Sequence, residues 1–217
     1  YNAQRDLAPV SLVGETPNAL IVNNALPVNT VKEFVALART SQGKLAYASA
    51  GTGSSTHLSV ALFESIAGFK AVHVPYKSGA PALNDTISGQ VQFMLATLPS
   101  AHGHIVSGRV RALGVSGKER SPSLPDVPTI AQSGYPEFVY TSWYGILVPA
   151  ATPNAIIRRL NEATVKLVGT PQVADRLKKQ GLEPRTTTPA AFGTMIRNEI
   201  EVWRKIIKSA NIKQDGG

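Results

Sequence analysis

The chain has 217 residues, 43% hydrophobic and 17% charged, with 18 Gly, 15 Pro and no Cys, a composition that supports one large globular domain or two smaller lobes and excludes a disordered or fibrous chain. No run has the length and purity of a membrane-spanning helix, and without Cys there can be no disulfide, thiolate zinc site or cysteine nucleophile. The net charge of +8 lies mainly in residues 141–217, where 12 Lys and Arg face 6 Asp and Glu, scattered over polar helix faces, so no nucleic-acid partner is expected.

Short β-type runs alternate with helical patterns through the first two thirds of the chain, which predicts an α/β fold built on a parallel sheet. Strands are expected at Val10 to Gly14 and Ala19 to Asn23. Thr30-Val31-Lys32-Glu33 is a capping box opening a helix with Val31, Phe34, Val35 and Ala38 on one face. A strand follows at Lys44 to Ala48, then a Gly/Ser-rich turn and a helix to about Ile66. Further strands are expected at Ala71 to Pro75, Val91 to Ala96 and Arg111 to Ser116, with helices at Pro81 to Ser88 and around Ser100 to Val106 between them. Ser121 to Gly134 reads as an ordered loop, and Phe138 to Pro149 as a long strand crossing between lobes. In the tail, Thr152-Pro153, Thr170-Pro171 and Thr188-Pro189 each place an N-cap Thr before a Pro at the first helical position, and Gly181 ends the middle helix.

The segment Tyr47-Ala48-Ser49-Ala50-Gly51-Thr52-Gly53-Ser54-Ser55-Thr56-His57-Leu58 combines a strand end, two glycines and hydroxyl residues able to cap the next helix. Such a turn can cradle an anion, because the first free N–H groups of a helix carry partial positive charge without any Lys or Arg; an ordinary capped helix after a glycine turn fits the same pattern. Thr56 occupies the third glycine position of a dinucleotide fingerprint, and no Gly-Lys-Ser/Thr follows, so nucleotide motifs are absent. A second small-residue turn, Val74 to Pro81, should lie beside the first at the carboxyl ends of neighbouring strands; in it Lys77 is either an attractor of anions or a solvated lysine. His102-Gly103-His104 lacks a third metal ligand, and alternate helical residues point apart. Ser54, Ser55 and His57 lack the elbow of a serine hydrolase. Trp143 and Tyr144 could wall a pocket or fill a core.

In order, Asp6-Leu7-Ala8-Pro9-Val10, Tyr47 to His57, His73-Val74-Pro75-Tyr76-Lys77, Ala80-Pro81-Ala82-Leu83-Asn84-Asp85, Leu98-Pro99-Ser100, Ser107 to Leu113, Leu124 to Thr129 and Ser142-Trp143-Tyr144-Gly145 resemble blocks of the solute receptors of tripartite tricarboxylate transporters, the Bug family. The resemblance implies a two-lobed periplasmic binding fold of type II, exported to the periplasm, presenting a small carboxylate (a di- or tricarboxylate or an amino acid) to membrane permease subunits. It implies no catalysis, cofactor or metal; an α/β enzyme acting on a small anionic substrate is the alternative. Carried over, it assigns ligand binding to Ser49, Ala50, Gly51, Thr52, Gly53, Ser54, Ser55 and His57, with Tyr76 and Thr97 secondary. Ser49, Ser54 and Ser55 would donate hydroxyl hydrogen bonds, Gly51 to Ser54 would offer amides, and His57 would brace the loop. Family members begin with an export signal and a Pro-Gly-Gly-containing loop, neither of which stands before Tyr1. Residues 1–16 and 142–217 are therefore expected to belong to a first lobe that is incomplete in this chain, and 17–141 to the second.

Overall fold

The structure is a computed structural model that describes residues 2–41, 43–209 and 212. In chain order its elements are α1 (Ala3–Asp6), β1 (Leu7–Val22), α2 (Val31–Thr40), β2 (Ala46–Ser49), α3 (Ser55–Ala67), β3 (Val72–Pro75), α4 (Gly79–Ser88) and β4 (Phe93–Thr97). There follow α5 (Leu98–Val106), β5 (Arg111–Val115), β6 (Thr141–Pro149), α6 (Asn154–Val168), α7 (Pro171–Lys179), β7 (Glu183–Pro184) and α8 (Pro189–Ser209). The chain forms two compact units, one of Tyr1–Glu15 with Trp143–Lys205 and one of Thr16–Ser142 with the chain from Ile206 onward.

The larger unit is a sheet in the order β3-β2-β4-β1-β5. β2 is parallel to β3 and β4, whereas β1 is antiparallel to both β4 and β5, so the expected all-parallel sheet is in fact mixed. Local periodicity sets which face of a strand is apolar but not its direction beside a neighbour, which explains the difference. The two strands expected at 10–14 and 19–23 are one continuous strand: Pro17 does not break it, because both proline and the residue before it favour extended backbone.

Alternation along β1 divides the core. Leu20 and Val22 join Phe34, Phe63, Phe93 and Phe138 on the side covered by α2 and α3. Ala19 and Ile21 join Leu83, Met94, Ala96 and Leu98 on the side covered by α4 and α5. Period two on the strands sorts these side chains to opposite faces. Phe34 packs edge-on against Phe93 at 4.8 Å and Phe69 at 5.8 Å; truncating so buried a ring typically costs about 3–5 kcal/mol.

The α2 capping box forms: Glu33 N–H donates to Thr30 Oγ1 at 3.1 Å, and Glu33 Oε2 accepts from the N–H of Asn29, one residue earlier than Thr30 itself. Such a cap is worth about 1 kcal/mol.

In the smaller unit, β7 pairs antiparallel with β1 at Gly14 and Glu15, and β6 also pairs with β1. Asn161 of α6 donates to the carbonyls of Val10 and Thr187 at 2.9 and 2.8 Å. α6 begins one residue later than its Thr-Pro signal predicts, with Pro153 itself at the cap. Thr188 caps α8 through a 3.2 Å bond from Ala191 N–H, while Thr170 precedes α7 without a side-chain cap. α7 ends where expected: Gly181 takes φ 76°, its N–H bonds Lys178 O, and Leu182 N–H bonds Leu177 O, the paired closure that a left-handed residue permits. No described helix is long and apolar enough to cross a membrane.

Candidate functional site

β2, β3 and β4 run parallel, so the ends at Ser49, Pro75 and Thr97 lie along one edge of the sheet. The pairing of Ser49 with Pro75 continues one step beyond the strands, where Tyr76 N–H donates to Ser49 O at 3.0 Å. The turn at 50–54 and the turn at 76–78 are therefore neighbours, as the strand order demands. Gly51 has φ 117°, and a Cβ there would stand 3.2 Å from Tyr76 O. Glycine is required at this position both by backbone conformation and by the approach of the second turn.

The first turn holds itself together. Ala50 N–H donates to Thr56 Oγ1 at 2.8 Å, Gly51 N–H to Ser49 Oγ at 3.1 Å, Gly53 N–H to His57 Nδ1 at 3.0 Å and Ser54 N–H to Gly51 O at 3.1 Å. Ser54 is the N-cap of α3, accepting from His57 N–H at 3.4 Å, and its Oγ lies 3.0 Å from Thr56 Oγ1. The amides expected to face a ligand, Gly51 to Ser54, are thus largely engaged within the loop; Thr52 is partnered as well. What stays open at the mouth of α3, among the described residues, is the N–H of Ser55, the N–H of Thr56 and the half-buried hydroxyl of Ser55. These three donors sit where the helix presents its partial positive charge, in a turn that contains no Lys or Arg.

Ser49 lies beneath the turn, fully buried, with its Oγ 2.6 Å from His73 Nε2 and 3.2 Å from Gly51 O. The Ser49–His73 spacing is that of a nucleophile and its base. Full burial and the Gly51 N–H already directed at Ser49 Oγ make the pair a brace for the turn instead. His57 also braces: its Nδ1 accepts from Gly53, so it does not serve as base to Ser54 or Ser55.

In the second turn, Tyr76 donates its hydroxyl to Asp85 Oδ2 at 2.6 Å, and burial first, then this bond and the nearby carboxylate charge, push its phenol up to about 12. Lys77 is exposed and makes no ion pair among the described residues. Thr97, half-buried before α5, has its Oγ1 3.0 Å from Ser100 Oγ. His102 Nε2 lies 3.2 Å from Ser123 O, and no three metal-ligating side chains gather among the described residues. In the smaller unit, Trp143 donates Nε1–H to Glu199 Oε2 at 2.7 Å and meets Phe192 edge-on at 5.2 Å, while Tyr144 is exposed.

Sequence reasoning missed two partners of the turn, His73 and Asp85. The signal for His73 was present: in a parallel pair with Ala46 opposite Val72, His73 falls beside Tyr47 and on the face of Ser49. Asp85 faces Tyr76 from the second turn of α4, a relation that appears only once the helix start is known.

The family model for tripartite tricarboxylate transporter family receptors matches residues 1–212. A protein of Pseudomonas sp. strain P51, a UPF0065 protein from the tcbD-tcbE intergenic region, is 36% identical over 208 residues, 95% of this chain and 62% of its own length. BugT of Bordetella pertussis is 33% identical over 213 residues, 98% of this chain and 65% of that protein. The chain thus spans somewhat under two thirds of the length of these relatives. Among solved structures, an R. palustris protein with adipate superposes with a TM-score of 0.94 at 33% identity, covering 98% of this chain and 71% of that one. MatC from Rhodopseudomonas palustris with bound malate gives 0.88 at 28% identity, covering 95% and 71% respectively.

Proposed function

We propose, from the premise that the chain belongs to the tripartite tricarboxylate transporter receptor family, that it captures a small carboxylate and hands it on chemically unchanged. The observation that carries this reading is the mouth of α3. Two peptide N–H groups and the Ser55 hydroxyl lie open there with no lysine or arginine in the turn. A carboxylate can accept several such donors at once, and charge-assisted bonds of this kind are about twice as strong as neutral ones.

The fold belongs with those of periplasmic binding proteins, and solved relatives hold adipate or malate. Ser55 and the amides of Ser55 and Thr56 would grip the carboxylate. Ala50, Gly51, Thr52, Gly53 and Ser54 shape the turn around it, and Ser49 and His57 hold that shape from below. Tyr76 and Thr97 would border the ligand from the adjoining strand ends, with water completing contacts that side chains do not reach. The unit of Tyr1–Glu15 and Trp143–Lys205 would contribute to the first lobe of the receptor and that of Thr16–Ser142 to the second. The site of action is the periplasm, and the receiving partners are the membrane permease subunits of the transporter.

Isothermal titration against malate, adipate, succinate and a panel of amino acids tests the reading. Saturable binding of at least one carboxylate, weakened by Ser55→Ala, is expected. No heat with any of them, from folded protein joined to the remaining third of a relative's length, would overturn it.

A further inference from the structure

Beneath the Gly/Ser turn, three rings form a pile. His57 and His73 are stacked with centroids 3.9 Å apart and planes 9° from parallel, and Tyr47 stacks on His73 at 5.0 Å. Each imidazole is tied to the turn: His73 through Ser49 Oγ, which receives Gly51 N–H, and His57 directly, through the bond from Gly53 N–H to its Nδ1. We propose that neutral His57 is a positioning residue for the ligand loop, and that acid releases Gly53 by protonating Nδ1, so that the loop loses its carboxylate-holding shape as pH falls. The proposal rests on the carboxylate reading for the identity of the ligand, though not for the coupling of His57 to Gly53.

The chemistry is a matter of lone pairs. A neutral imidazole that accepts at Nδ1 carries its proton on Nε2. Once Nδ1 is protonated both ring nitrogens donate, and the Gly53 N–H then faces a donor at 3.0 Å. Three surroundings oppose that charge: His57 is buried, 5% exposed, it sits in the first turn of α3 where the helix end is itself positive, and a second imidazole lies against its face. His73 differs, since Ser49 Oγ can accept from it whether or not the ring is charged. A charge on His73 would further discourage one on His57.

Other titratable groups surround the pile among the described residues. On the same face are Tyr47 of β2, the Glu64–Lys70 pair, whose carboxylate acts electrostatically on Tyr47, and Arg39 of α2, which is bonded to Ala67 O. Tyr76 and Asp85 belong to the opposite face with α4.

Nitrogen-detected NMR of the unliganded chain follows both rings and the Gly53 amide through an acid titration. The expected result is a His57 ring with its proton on Nε2 at neutral pH. Its protonation and a shift of the Gly53 amide should then share one midpoint. His57→Asn places a non-titrating acceptor at the position of Nδ1, so Gly53 should stay in place across the same range. His57→Phe keeps a ring on His73 but offers no acceptor, and Gly53 should be displaced at every pH. A Gly53 amide that does not move while His57 titrates, or a His57 proton on Nδ1 at neutral pH, overturns the proposal; should His57→Phe fail to fold, these wild-type observations and His57→Asn still decide.

Binding of malate and adipate is then compared between wild type and His57→Asn, which cancels the ligands' own ionisation. Wild-type affinity should fall by about 5- to 10-fold relative to the variant over the His57 titration, the scale of one lost hydrogen bond. A relative rise in acid overturns the proposal. If neither probe binds either protein at any pH, the link from His57 to capture of these acids fails while the Gly53 titration still decides the role of His57.

Discussion

Tyr76 and Asp85 are joined by a 2.6 Å hydrogen bond from phenol to carboxylate, across the turn between β3 and α4. Burial and this bond hold the phenol neutral to about pH 12. Because the folded value lies above that of an unfolded tyrosine, the stability it contributes is complete below about pH 10 and is lost as pH rises through the folded value. Ultraviolet titration of Asp85→Asn should show one tyrosine ionising at lower pH than in wild type. Identical curves would mean that Asp85 has no hold on the phenol.

Glu64 gives a second pH test. Burial raises its carboxyl above the ordinary range, and donation from Ala71 N–H at 2.7 Å, with the charge of Lys70, only partly offsets this. Its contribution to stability is therefore present below the unfolded value and lost as pH rises through the folded one. Glu64→Gln keeps an acceptor for Ala71 and does not titrate. Its melting temperature relative to wild type should rise as pH is raised past about 4, the ordinary carboxyl value, a trend that thermal unfolding at a series of pH values would reveal or refute.

The two glycines of the ligand turn should respond differently to alanine. Both have positive φ, but a Cβ at Gly53 meets nothing within 4 Å, whereas one at Gly51 is 3.2 Å from Tyr76 O. Gly53→Ala should cost about 1 kcal/mol in stability. Gly51→Ala should cost more and weaken carboxylate binding about 10-fold, as the second turn is pushed away. Denaturant unfolding and calorimetry of the two variants measure the contrast; equal effects would show that the approach of Tyr76 is immaterial.

α6 carries two parallel apolar stripes with different fates. Ile157, Thr164 and Val168 are buried, while Ile156, Leu160 and Leu167, one residue around, are exposed. Ile157→Ala should cost about 2 kcal/mol or more, and Leu160→Ala well under 1 kcal/mol. Urea unfolding distinguishes them.

Much of this was legible from local chemistry. The Thr30–Glu33 box, the apolar face of α2 and the Gly181 stop follow from signals within a few residues of one another, and the adjacency of the two turns follows from the alternation of strands and helices. What local pattern could not supply was direction and register. Glu15-Thr16-Pro17-Asn18 has the composition of a turn, yet pairing with β4 and β5 on either side keeps Asn18 and its neighbours in one strand. The site divided in the same way. A Gly/Ser turn before a helix announces an anion cradle, but which of its amides stay open depends on where Thr56 Oγ1, Ser49 Oγ and His57 Nδ1 land, and those distances are set by the strand pairing that brings His73 under the turn.

Because Ala50, Gly51, Gly53 and Ser54 already donate to their own loop, an arriving anion has little conformational entropy left to quench. Association at this turn should be quick and free of a slow rearrangement phase. With so few donors left over, discrimination among acids passes from the number of contacts to the shape of whatever the carboxylate carries behind it.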